Sequence, residues 1–251
     1  MPITIEVCVD SLSGALLAQS LGADRLELCA NLSIGGTTPS VGLLRKVRAA
    51  VELPIHVLIR PRGGDFLYEP AEVETMLADI AFAKAEGADG IVCGALTPKG
   101  EIDQETTKKL FKAARPLVFT FHRAFDHCVE PMRAFTQLKE IGVDHLLTSG
   151  QSKSVSQGLS LLKQIQFLSD RMMIMPGGGV SPENLVEILN KLQPKEIHFS
   201  GSRPVASAME YLSPVLLGAA DSSETKLVTD PVRLGKMISA VRSWEETQIE
   251  G

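Results

Sequence analysis

Short stretches in which apolar and polar residues alternate recur along the whole chain. Between them lie longer stretches with apolar positions three and four residues apart. The first pattern is the period of a β-strand, the second that of a helix. The strand-like stretches are 3–9, 25–29, 55–60, 90–94, 117–122, 145–148, 172–175 and 196–200. Seven segments between them read as helical, 75–86 and 132–141 most clearly. Gly22, Gly87 and Gly142 stand where a helix should close before the next strand, the place of a left-handed cap. Their contexts, LGAD, EGAD and IGVD, form a weak internal repeat. Thr38-Pro39, Ser181-Pro182 and Asp230-Pro231 mark helix starts.

Eight strands, each followed by a helix, within 251 residues predict an α/β fold: one (β/α)8 TIM-barrel domain spanning residues 1–251. A doubly wound sheet is the competing topology. It carries a glycine-rich turn after its first strand, and Val9-Asp10-Ser11 has none. Residues 203–229, rich in Ser, Ala and Pro, break the alternation. They read as an irregular excursion before the last helix, packed over a barrel rim or a neighbouring subunit.

In a barrel, one face of each strand meets the helices and the other fills the interior, lining the site at the carboxyl end. Alternation then sorts the residues. Ile5 and Val7 face out, so Glu6 and Cys8 face in; Leu26 and Leu28 face out, so Glu27 and Cys29 face in. His56, Leu58 and Arg60 face in from the third strand, with Arg62 just beyond. Thr120 and His122 face in from the fifth, followed by Arg123 and Asp126, and His198 and Ser200 from the eighth. One end of the interior is therefore polar. Buried charges must pair or coordinate something. The plain structural reading is an ion-pair network, Glu6 and Glu27 against Arg60 and Arg62, that only closes the barrel top.

Composition narrows the classes. The hydrophobic fraction of 44% supports a sizeable core, and the net charge of −5 with no basic run argues against a nucleic-acid surface. No apolar run approaches the roughly 18 residues of a membrane span. With a strand at its start and no leader pattern, the chain reads as cytoplasmic. Its four cysteines then read as reduced thiols, with Cys93 and Cys128 as small buried hydrophobes.

Two chemistries fit the inward set. Cys8 and Cys29 could give two sulfurs to a soft ion such as Cu(I); zinc would need more ligands, from His122 or His198. Alternatively, Glu27 and His122 form an acid/base pair with Arg60 beside them. An anionic, phosphorylated or carboxylated substrate would then be held by Arg60, Arg62, the Gly177, Gly178 and Gly179 loop and Ser200, where barrels bind phosphate. Isomerase or lyase chemistry suits that set. No strand lysine supports a Schiff base. A non-catalytic sensor or scaffold would bind neither metal nor metabolite.

The segments EVCVDS (6–11), GADRLELCANLSIGGTTPS (22–40), HVLIRPRGGDFLY (56–68), TFHRAFD (120–126), LLTSGQ (146–151) and MEYLSP (209–214) resemble the CutC family of copper homeostasis proteins. The resemblance implies a cytosolic TIM barrel that forms homo-oligomers and handles copper by binding Cu(I). It implies Cys8 and Cys29 as the ligands. Ile34 departs from the pattern, where a polar residue such as Glu is expected.

Overall fold

The computed structural model describes residues 2–211 and 225–249. Eight parallel strands form one sheet: β1 (Thr4–Val9), β2 (Arg25–Leu28), β3 (Ile55–Leu58), β4 (Gly90–Cys93), β5 (Val118–Phe121), β6 (His145–Thr148), β7 (Met173–Pro176) and β8 (Glu196–Phe199). Their spatial order is β7-β6-β5-β4-β3-β2-β1-β8. A parallel bridge between Gly177 and His198 brings the two ends together. The result is a nearly closed barrel with helices around it, as the alternation predicts. Six strands are shorter than their sequence patterns, β6 matches its own, and β7 is shifted by one residue. Cys29, Arg60, His122 and Ser200 therefore stand just past strand ends, where the sheet opens into loops.

Outward strand residues Ile5, Val7, Leu26, Leu28, Val57, Ile91, Phe119, Phe121 and Ile197 join the inner helix faces in one buried apolar cluster. Full burial of such a side chain contributes about 1.5–3 kcal/mol, so this layer carries the fold. A separate small cluster of Cys8, Cys29, Leu58 and Val92 lies inside the barrel.

The helix punctuation is partly as read. Gly22, Gly87 and Gly142 have φ of 91°, 82° and 88°, the left-handed conformation a helix-ending glycine supplies. Pro231 opens α8 (Pro231–Ile249). Pro39 and Pro182 instead precede α2 (Val41–Arg48) and α7 (Leu185–Leu192). Ser40 is the true cap of α2, its hydroxyl accepting from Leu43 N–H at 3.1 Å. The excursion is not irregular throughout: β9 (Ser202–Ala206) and β10 (Thr225–Thr229) pair antiparallel. Residues 212–214 of the MEYLSP segment lie outside the described residues.

Candidate functional site

Strand register sets the floor of the barrel mouth. Cys8 lies opposite Glu27, and Glu6 lies opposite both Arg25 and His198. Cys8 Sγ is 3.6 Å from Cys29 Sγ. Ligand atoms of Cys8, Glu27 and His198 all lie within 4.8 Å of one another. His198 bridges two carboxylates, with Nδ1 2.8 Å from Glu6 Oε1 and Nε2 3.8 Å from Glu27 Oε2. Burial opposes its protonation, but the two carboxylates win and raise its pKa. Burial also holds the Glu27 carboxyl above its usual range. The hydrogen bond with Cys29, burial and Glu27 raise the Cys8 thiol well above its ordinary value.

Below the floor lies a buried charged layer. Arg25 donates from Nε to Glu6 Oε2 at 2.5 Å and from Nη2 to Glu196 Oε2 at 2.7 Å. The plain structural reading, in which Glu6 and Glu27 pair with Arg60 and Arg62, therefore does not hold. The physical reason is height along the barrel. Arg25 shares a rung with Glu6, whereas Arg60 stands beyond the end of β3, among loop carbonyls. Arg60 Nη1 donates to Ile34 O and Gly36 O, both at 2.9 Å, and Nη2 to Gly64 O at 2.7 Å. Its guanidinium lies 5.0 Å from the Phe66 ring centroid. Alternation placed Glu27 inward and, carried two residues back, would have placed Arg25 there as well.

Above the floor opens a cavity of about 210 Å³. Of the expected residues, Cys8, Glu27, Arg60, His122, Gly178, Gly179 and Ser200 line it. Cys29 is fully buried behind Cys8. Gly177 pairs with β8 and lies outside the lining. Arg62 also lies outside, its guanidinium held by Glu72 at 2.6 Å and Asp65 at 3.1 Å. His122 Nδ1 accepts from Ala124 N–H at 3.2 Å, which leaves the ring proton on Nε2. Burial and the nearby Arg60 charge lower its pKa to about 3, so it is a neutral donor.

Arg123, to which sequence reasoning gave no role, lines the opposite rim. Asp126 holds its Nε at 2.8 Å, and Ser149 Oγ accepts from Nη2 at 3.1 Å. Asp126 is itself gripped by Thr148 Oγ1, the backbone N–H groups of Ser149 and Gln151, and Ser149 Oγ. The TFHRAFD and LLTSGQ segments thus form one interlocked corner.

Comparison with models of protein families matches residues 3–203 to the CutC family. The chain belongs to the CutC family. It is 46% identical over 240 residues to the human copper homeostasis protein cutC homolog, covering 94% of this chain and 88% of that protein. A CutC family protein of Bacteroides thetaiotaomicron is 47% identical over 208 residues, covering 82% and 84%. The crystal structure of a putative copper homeostasis protein CutC from Streptococcus agalactiae superposes with a TM-score of 0.74 at 32% identity, covering 78% of this chain and 97% of that one. Phosphoribosyl anthranilate isomerase from Thermotoga maritima gives a TM-score of 0.59 at 13% identity, covering 96% and 99%. That likeness shows the TIM-barrel fold alone.

In this CutC chain the segments that carry the family resemblance build the mouth. EVCVDS supplies Cys8, HVLIRPRGGDFLY supplies Arg60 and Phe66, and TFHRAFD supplies His122 and Arg123. Ile34 is 44% exposed; its N–H donates to Asn31 O and its carbonyl accepts from Arg60. Among the described residues, no helix is long and apolar enough to cross a membrane.

Proposed function

We propose that this chain serves copper homeostasis by binding Cu(I) at the floor of the barrel mouth, with Cys8 and Cys29 as ligands. The carrying observation is the 3.6 Å approach of the two thiols in the barrel interior. Two sulfurs at that spacing, in an apolar cluster with Leu58 and Val92, suit a soft ion of low coordination number. His198 and Glu27 stand close enough to Cys8 to add a third donor. The same reading places the chain in the reducing cytoplasm, where thiols stay free. It makes the chain a single domain in a homo-oligomer, with no nucleic-acid or membrane partner. The test is anaerobic Cu(I) titration against a colourimetric chelator, comparing wild type with Cys8→Ser/Cys29→Ser. Stoichiometric binding lost in the variant supports the site; binding unchanged by the variant removes it.

The cavity favours a second reading, an enzyme of isomerase or lyase type acting on a small anionic substrate. A two-thiol ion site needs no space of about 210 Å³ above it. Here Glu27, whose pKa burial raises, is the acid, and His122 donates from Nε2, which has no partner among the described residues. Arg60 supplies positive charge that no carboxylate neutralises among the described residues. Arg60→Ala separates the readings. Loss of ligand binding with Cu(I) binding kept favours the enzyme; loss of neither removes it.

A further inference from the structure

We propose that the rim formed by Arg123, Gly178, Gly179 and Ser200 is a subsite for the phosphate of a small phosphate monoester. This deepens the second reading and rests on it; it owes nothing to copper.

Charge is the first ground. The cavity lining carries Arg60, Arg123 and His198 against the single carboxylate Glu27. Asp126 and Glu6 pair Arg123 and His198 from outside the lining, which leaves Arg60 as its one cation without a carboxylate partner among the described residues. The floor is closed to an anion by Glu27 and the thiols, and Arg60 is 5% exposed, its guanidinium turned to the carbonyls of Ile34, Gly36 and Gly64. The unspent donors that are not buried lie at the Arg123 corner; those of Arg60 Nε and His122 Nε2 are buried.

Geometry is the second ground. Asp126 and Ser149 fix Nε and Nη2 of Arg123, and Nη1 has no acceptor among the described residues. The guanidinium is thus oriented yet keeps one terminal nitrogen for a ligand, and 43% of the side chain is exposed. It packs against Gly178 so closely that a Cβ there would lie 2.8 Å from Arg123 Cζ and 3.0 Å from Nη1. Gly178 and Gly179 have φ of 107° and 68°, conformations that suit glycine. No described residue accepts from their N–H groups. Ser200 Oγ, 2.9 Å from Ser202 Oγ, adds a hydroxyl on the neighbouring strand end.

Several donors at one corner match a group with three strong acceptor oxygens better than a carboxylate with two. The organic part of the monoester would lie over Leu58, Leu147, Val180 and Phe199, towards Cys8, Glu27 and His198. A donor already stands on that path: His122 lines the cavity with Nε2 unpartnered among the described residues.

The chain has five histidines, so imidazole NMR of histidine-labelled protein can test this, with inorganic phosphate, glycerol 3-phosphate and malonate as probes. The expected result is a saturable shift of His198 and His122, which line the cavity, by both phosphates, with His145 below the floor unmoved. Arg123→Gln should weaken phosphate by about tenfold or more, since it removes a charge-assisted donor. Arg123→Lys should fall between; it retains charge if the glutamine variant does not fold. If Arg123→Gln binds phosphate as wild type does, the subsite is overturned and the ligand cavity stands. If malonate alone moves His198, the phosphate assignment is overturned and the anion cavity stands. If no probe moves a cavity histidine, the subsite and the second reading fall together.

Discussion

Cys8 on β1 and Cys29, the residue after the neighbouring parallel β2, have their sulfurs 3.6 Å apart, and Glu27 and His198 share the Cys8 side of that pair. The arrangement keeps Cys8 protonated, because its bond to Cys29, burial and the Glu27 charge all disfavour the thiolate. A metal ion bound there must displace that proton. Cu(I) affinity is therefore expected to rise with pH, by about tenfold per pH unit for one displaced proton. Chelator competition across the neutral and mildly alkaline range measures the slope. Cys8→Ser should lower it by one proton; equal slopes would mean that Cys8 is not a ligand.

Arg25 is the only cation contacting both Glu6 and Glu196 among the described residues. Glu6 is fully buried, and Arg25 with His198 holds its carboxyl well below the usual range against the effect of burial. Arg25→Met leaves two carboxylates inside the barrel without that partner. Breaking a buried pair in this way costs about 3–5 kcal/mol. Urea unfolding should show a loss of that size. Arg25→Met/Glu6→Gln/Glu196→Gln should recover part of it, because the stranded charges are gone.

How the chain displays these features differs from residue to residue. Alternation alone placed Glu6, Cys8, Glu27, His122 and His198 inside the barrel, because a strand with one face packed on helices leaves only one register open. It could not set their heights. Whether Glu6 meets Arg25 or Arg60 depends on the stagger between strands, a tertiary quantity, so alternation leaves the plain ion-pair reading open until the register is known. Arg62 was drawn into the site by adjacency, yet one turn of loop carries it to Glu72 at the start of α3 (Pro70–Ala85). Arg123 was visible only as a residue after a strand. Asp126, three residues on, is within reach by spacing, but Ser149 and Gly178 come to Arg123 only through the fold.

His122 gives a signature in acid. It is neutral in the folded protein, with its pKa lowered from 6.5 to about 3, mainly by burial. Below pH 6.5 the unfolded chain takes up a proton that the folded one refuses, so stability falls as pH falls. One such group contributes about 1.4 kcal/mol per pH unit within that window. Glu27, with its raised pKa, acts in the opposite sense, so the comparison must be with a variant. His122→Asn keeps an acceptor for Ala124 N–H and removes the titration. Its stability should fall less steeply than wild type, by about 1.4 kcal/mol per pH unit, in urea unfolding series. Parallel curves would show that the imidazole is protonated in the folded state.

The barrel interior also depends on an absent side chain. Gly90 faces inward on β4 opposite His56 on β3. A Cβ at Gly90 would lie 2.3 Å from His56 Cδ2 and 2.6 Å from both Cγ and Nε2. Two effects then oppose each other in Gly90→Ala. The alanine restricts the unfolded chain, which stabilises by about 0.4–1 kcal/mol. Overpacking a filled core costs about 1–3 kcal/mol. Overpacking should win, because the obstacle is a rigid ring, 2% exposed, standing 3.4 Å from Glu6 in the charged layer. Net destabilisation of about 1–2 kcal/mol is expected from these two magnitudes. The cycle with His56→Ala identifies the cause. With the ring removed, Gly90→Ala should become neutral or stabilising, a coupling that additive effects would not give. If the alanine costs the same on both backgrounds, the β4 backbone, and not the imidazole, is what requires glycine at this position.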